Sequence, residues 1–229
     1  MSKKLIVFDW DGVLSGYYSV AIDSKSFFTK VLDDLGMWLS DPAMKCFMDS
    51  LLDGMCVIGT QTEMNKKIHK AFKDAWIDAD DETVMFFRSQ FILNALSLNH
   101  GSKELFDYIA EHAAAAGDVE FGLLSNCSEL EKIVQSTDVP EHLMKHVFRS
   151  CEVGMTKPGA GIYKLLELSV TQQPCDILYV DDREENLIVP RNLGWQVYHY
   201  AGDDYNLIEV MDNFIKQEAC RGSTSVSAL

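Results

Sequence analysis

The chain has 229 residues, of which 47% are hydrophobic, and carries 35 acidic against 20 basic side chains, a net charge of −15. This length and composition suit one large domain, or a core with a smaller insertion, around a sizeable apolar interior. The acidic balance excludes a general nucleic-acid or anionic-membrane binder, which needs a basic face, but leaves room for a local basic pocket that takes a phosphate.

The first element is the apolar run Leu5–Phe8, read as a buried strand and followed at once by Asp9-Trp10-Asp11-Gly12. Residues i and i+2 of a strand share a face, but a turn at its frayed end swings the second side chain elsewhere. Two carboxylates placed this way suit a divalent cation, an anionic substrate and a proton donor together. From about Gly16 to His100 the apolar residues recur three or four apart, as in Phe28, Val31, Leu32 and Leu35, or Ile68, Ala71, Phe72 and Ala75. Asp41-Pro42 reads as an N-cap and first helical position, Leu52-Asp53-Gly54 as a helix end, and Asp80 or Asp81 as the opening of a helix through Met85-Phe86-Phe87. This stretch is predicted to be a small helical bundle inserted after the first strand.

Leu105, Ile109 and Ala113 mark a further helix, after which Val119–Leu124, Val147–Cys151, Ile177–Val180 and Gln196–Tyr200 read as strands alternating with helical stretches. That alternation predicts a parallel sheet covered by helices, and such sheets bind ligands beyond the carboxyl ends of their strands. The six cysteines (46, 56, 127, 151, 175 and 220) show no Cys-x-x-Cys or zinc-like spacing and are expected to be reduced thiols of a cytoplasmic protein. No apolar stretch reaches membrane-spanning length, and Cys220–Leu229 reads as a flexible tail.

Four strand ends carry polar residues. Asp9-x-Asp11 is the first. Leu124-Ser125-Asn126 offers a hydroxyl and turn amides for a phosphoryl oxygen. Thr156-Lys157-Pro158-Gly159 holds a lysine near a loop start, and Val180-Asp181-Asp182-Arg183 supplies an acidic pair, followed by Glu184, Glu185 and Asn186. In this order, each behind a strand, the motifs resemble those of the haloacid dehalogenase-like (HAD) hydrolase superfamily, a group dominated by magnesium-dependent phosphatases. The resemblance spans nearly all of residues 4–200. The insertion is similar to the helical C1-type cap of the subfamily that includes haloacid dehalogenases and β-phosphoglucomutases, and Ser150–Pro158, Tyr179–Asn186 and Leu193-Gly194-Trp195 look like that subfamily too. The resemblance implies a three-layer Rossmann-like α/β core formed by residues 1–15 and 101–216, an α-helical cap at 16–100 and a tail at 217–229.

It also implies roles. Asp9 would be the nucleophile that forms an aspartyl-phosphate, and Asp11 would protonate the leaving oxygen and then deprotonate the attacking water. Ser125 and the amide of Asn126 would bind the phosphoryl oxygens, and Lys157 would neutralise developing charge and keep Asp9 ionised. Mg2+ would be held by Asp9, the carbonyl of Asp11 and Asp182, with Asp181 close by; the order of the acidic pair stays open because Asn186 stands where an acid is common. The implied substrate is a small phosphorylated metabolite and the implied protein a monomer or homodimer. A phosphomutase shares all four motifs and is the alternative. A dehalogenase is disfavoured by Asp11 and the acidic pair, and a non-catalytic binding protein by the presence of every motif. In the cap, Tyr17, Tyr18, Arg88 and His100 are candidates to face substrate, though such residues commonly serve packing or surface, and the turn at Gly54–Thr60 is the candidate to close over the leaving group. Arg183 is expected to pair with a neighbouring acid rather than touch substrate, and Cys127 to be an inert small side chain.

Overall fold

Five short apolar runs pair into one wholly parallel sheet in the computed structural model, which describes residues 3–15, 24–97, 102–115, 117, 119–138 and 141–218. The strands are β1 (Lys4–Phe8), β2 (Val119–Ser125), β3 (His146–Arg149), β4 (Ile177–Asp181) and β5 (Gln196–His199), in the spatial order β3-β2-β1-β4-β5. Every residue of β1, β2 and β4 is buried, as expected of strands covered on both faces. One face packs Ile6, Phe8, Phe121, Leu123 and Val180 against α5 (Lys103–Ala114), α6 (Glu129–Asp138) and α10 (Asp204–Lys216). The other packs Leu5, Val7, Leu124 and Tyr179 against α8 (Ala160–Ser169) and α9 (Glu184–Asn192). The result is a three-layer α/β fold, the helix-covered parallel sheet that the alternating elements predict. The chain leaves β1 to one side through β2 and β3 and returns on the other through β4 and β5, so the carboxyl ends of β1, β2 and β4 border the crevice where such sheets bind ligands.

Between β1 and β2 run α1 (Lys25–Asp34), α2 (Asp41–Leu52), a single 3-10 turn (Met55–Val57), α3 (Gln61–Asp74) and α4 (Asp81–Leu96). Their apolar stripes meet in an aromatic cluster of Phe27, Phe28, Phe47, Phe72, Phe87 and Phe91, with ring centroids 5.0 to 6.4 Å apart. Such ring pairs contribute beyond the area they bury. Asp80 caps α4 by accepting from the Thr83 amide at 2.8 Å. At α2 the cap is Ser40, not Asp41, because Asp41 already lies in the helix, where its charge suits the positive end of the helix dipole.

Three further expectations change. The run Val147–Cys151 is not all strand: β3 stops at Arg149, and Ser150–Val153 form a helical turn, α7, closed by Gly154 at φ +68°. Glycine tolerates that left-handed conformation without steric penalty. Cys175 is disulfide-bonded, contrary to six reduced thiols, while Cys46, Cys56, Cys127 and Cys151 are free. Gln217 and Glu218, assigned to the tail, bond to the core through Gln196 and Lys4; residues 219–229 lie outside the described residues. No helix among the described residues is long and apolar enough to cross a membrane.

Candidate active site

The carboxyl ends of β1, β2 and β4 converge on a cavity of about 230 Å³ lined by Asp9, Asp11, Asn126, Lys157 and Arg183 from the sheet side and by Leu52, Met55 and Cys56 from the helical insertion. At the end of β1, Trp10 turns into the core and is 1% exposed, so Asp9 and Asp11 on either side of it both face the cavity. The turn continues through Gly12 at φ +77°, where an added Cβ would stand 2.6 Å from Asp182 Oδ2. Gly12 therefore serves twice, by its left-handed backbone and by the room it leaves for Asp182. Gly12→Ala is expected to weaken divalent-cation binding by about tenfold or more and to cost about 1–3 kcal/mol of stability; calorimetric cation titration and thermal melting check both.

Lys157 is the hub. Its ammonium lies 2.8 Å from Asp9 Oδ1 and 2.8 Å from Asp181 Oδ2, and it is 4% exposed. Burial pushes the ammonium towards its neutral form, but the two carboxylates outweigh this and hold Lys157 above the ordinary lysine range. The loop carrying it is clamped by Asn126, whose Oδ1 accepts from the Lys157 amide at 2.8 Å and whose Nδ2 donates to the Lys157 carbonyl at 2.9 Å.

The adjacent aspartates of β4 differ sharply. Asp181 is fully buried and accepts from Lys157 Nζ, the Tyr179 hydroxyl, the Arg183 amide at 2.9 Å and Asn186 Nδ2 at 3.0 and 3.1 Å. These donors fill the lone-pair sites of one carboxylate. Burial raises the Asp181 pKa, yet Lys157 and the other donors overcome it and keep the group below the usual carboxylate range. Burial and the nearby charges hold Tyr179 well above the ordinary phenol range, so it remains a donor. The half-buried carboxylate of Asp182, by contrast, meets no hydrogen-bond donor among the described residues, and burial together with Asp181 and Asp11 raises its pKa.

Asp9 uses Oδ1 for Lys157 and for the Trp10 amide at 2.7 Å, which leaves Oδ2 without a donor among the described residues. Burial, only partly offset by Lys157, raises its pKa to about 8, and Asp181 and Asp11 add to the rise. One lysine thus faces more carboxylate than it can balance, and Asp9 is the member that keeps a proton when no other cation is near. Carboxylate oxygens of Asp9, Asp181 and Asp182 lie within 4.8 Å of one another. All-oxygen donors with excess negative charge are the set a hard divalent cation takes; the donor-free oxygens belong to Asp9 and Asp182.

Of the predicted site residues, Asp9, Asp11, Asn126 and Lys157 line the cavity, whereas Ser125, Asp181 and Asp182 are not part of its lining. Alternation along β2 places Ser125 on the same face as Leu123, and its Oγ accepts from Gln135 Nε2 of α6 at 2.9 Å. Arg88 does not turn towards the cavity: it pairs with Glu129 of α6 at 2.9 Å and with Asn65 at 3.0 Å, and so ties α4 to α6 and α3. Tyr17, Tyr18 and His100 lie outside the described residues. Tyr179 and Glu131 were missed from sequence. The signals were present: Tyr179 precedes Asp181 by two residues on one strand face, and Ser128-x-x-Glu131 forms the reciprocal capping box of α6, with Glu131 also lining the cavity.

No protein-family profile matches the chain, and no curated protein does. Solved structures match over nearly the whole length. A predicted HAD-like family hydrolase from Porphyromonas gingivalis is 20% identical, with 95% of this chain and 100% of that one covered at a TM-score of 0.66. The chain has the HAD-like hydrolase fold. A HAD family enzyme from Bacteroides thetaiotaomicron, solved in complex with magnesium and inorganic phosphate, is also 20% identical, covering 90% and 99% of the two chains at a TM-score of 0.65. An L-2-haloacid dehalogenase from Xanthobacter autotrophicus with chloropropionic acid covalently bound also matches, 15% identical over 95% of this chain and 85% of that one at a TM-score of 0.55.

Proposed function

We propose that the protein is a magnesium-dependent phosphatase that hydrolyses a small phosphorylated metabolite through an aspartyl-phosphate on Asp9. The observation that carries this reading is the set of carboxylate oxygens without a donor among the described residues, Asp9 Oδ2 and those of Asp182, clustered with Asp181 beside a buried lysine and next to a cavity that Asp9, Asp11 and Lys157 line. Asp9, Asp182 and the main-chain carbonyl of Asp11 would hold Mg2+, the ion present with phosphate in the Bacteroides thetaiotaomicron enzyme. When bound, magnesium supplies the positive charge that lets two anions approach. Asp181, its oxygens occupied, works through Lys157 by fixing the ammonium beside Asp9.

In the proposed reaction Asp9 attacks phosphorus while Asp11 gives its proton to the leaving oxygen. Asp11, now ionised, takes a proton from the water that attacks the aspartyl-phosphate. Lys157 and Asn126 border the space of the phosphoryl group. Residues 16–100 act as a cap whose Leu52, Met55 and Cys56 wall exclude water from the reacting centre. The presence of Asp11 in the cavity favours this chemistry over dehalogenation, which has no use for a second carboxylate of that kind. A phosphomutase would return the phosphoryl group to an isomer of its donor. The test is a phosphate-release screen over sugar phosphates, phosphoglycolate, nucleotides and glycerol phosphates. Release with magnesium that stops on chelation is expected; an isomer in place of phosphate, or no turnover anywhere, contradicts the reading.

Cation binding must also displace the proton from Asp9. Its pKa of about 8 lies far above the ordinary 3.8, so apparent magnesium affinity is expected to climb as pH rises through neutrality and to level off above about 8. Calorimetric titration at a series of pH values reads this directly, and a pH-independent affinity contradicts it.

A further inference from the structure

We propose that Gln135, held by Arg149, is a positioning residue that turns the Ser125 hydroxyl outward as a hydrogen-bond donor for the phosphoryl group; this rests on the reading of Ser125 as a phosphoryl ligand. Ser125 and Arg149 are register partners on β2 and β3, so their side chains leave the sheet together. Gln135 of α6 descends between them. All three are buried, with exposures of 1%, 0% and 3% for Ser125, Gln135 and Arg149.

The direction of each bond follows from the chemistry of the groups. A guanidinium can only donate. Arg149 Nε therefore donates to Gln135 Oε1, at 2.5 Å, and this identifies which end of the carboxamide is oxygen. The other end is the NH2 group, and it donates to Ser125 Oγ at 2.9 Å. Arg149 is itself anchored by Glu141 and, at 3.6 Å, by Glu152, so the carboxamide cannot turn over without breaking a buried charge-assisted bond. A serine hydroxyl has one proton. Since Gln135 donates to this oxygen, that proton is left for another acceptor, and among the described residues it has none. A buried donor without an acceptor is costly, and the cost disappears when an acceptor arrives. Ser125 sits at the carboxyl end of β2, immediately before the cavity-lining Asn126, where an anionic phosphoryl oxygen is the acceptor that fits.

Gln135→Glu separates this role from packing. The carboxylate still pairs with Arg149, but its second oxygen accepts the Ser125 proton and withdraws it from the phosphoryl group. Inorganic phosphate binding to the magnesium-loaded protein, measured as competitive inhibition, is expected to weaken about tenfold, as in Ser125→Ala. In a Ser125→Ala background Gln135→Glu is expected to add nothing. The near-isosteric, uncharged Gln135→Met, which loosens the hydroxyl without reversing it, is expected to cost only a few-fold, again solely when Ser125 is present. Equal losses with and without Ser125, for whichever variant folds, overturn the positioning role and mark Gln135 as packing. Unchanged phosphate affinity in Ser125→Ala, with catalysis intact, removes Ser125 as a ligand and the proposal with it, while the aspartyl-phosphate chemistry stands.

Discussion

Asp9→Asn is expected to lower magnesium-dependent phosphate release by on the order of 10⁴-fold or more, while making the metal-free protein more stable near and above neutral pH. The two effects have one origin. Asp9 is buried with its pKa raised to about 8 from the ordinary 3.8, so folding favours its protonated form. The stability associated with that form is fully present below about pH 4 and is lost as pH rises through 8. Asparagine keeps an oxygen for Lys157 and the Trp10 amide but has no charge to desolvate. The advantage of the variant is therefore expected to grow from about pH 4 to pH 8 and then to level off. Parallel thermal melts of both proteins in chelator, with phosphate-release assays in magnesium, check the pair. A variant that loses activity because it unfolds contradicts this account, because here function is maintained at a cost in stability.

Lys157→Met has the opposite signature. It removes the ammonium 2.8 Å from both Asp9 and Asp181 and leaves two buried carboxylates facing each other. Breaking a buried pair by deleting one partner costs about 3–5 kcal/mol, so activity and stability fall together. The loss is expected to be smaller at pH 5 than at pH 8, because a carboxylate that takes up a proton no longer repels its neighbour. Combining the two substitutions tests the coupling: with Asp9→Asn already present, Lys157→Met should cost less. Additive losses would show that the lysine acts independently of Asp9.

The fold was legible wherever local pattern sufficed. Apolar runs ending in polar residues located all five strands, and Phe28, Val31 and Leu32 or Ile68, Ala71 and Phe72 marked helix faces that are buried. The error at Cys151 arose because a buried helical turn has no apolar period of its own when it follows a strand directly. Within the site, Asp9, Asp11 and Lys157 stand out as charged residues behind strands. The ranking of Asp181 against Asp182 did not, because it depends on which carboxylate receives donors from Lys157 and Asn186, and chain folding decides that. Arg88 shows the same limit: its charge on a helix is plain, but its partner Glu129 is 41 residues away. Gln135 carries no motif, and only the register of Ser125 with Arg149 gives it a role.

The proposed reaction places a phosphoryl group on Asp9. Its most direct test is a magnesium-containing single-turnover reaction with a substrate from the phosphate-release screen, quenched in acid and followed by peptide mass spectrometry. The account predicts one phosphoryl group on the peptide bearing Asp9, appearing before free phosphate and absent from Asp9→Asn. Phosphate released with no modified carboxylate at any time, or with the phosphoryl group on a different residue, would contradict it.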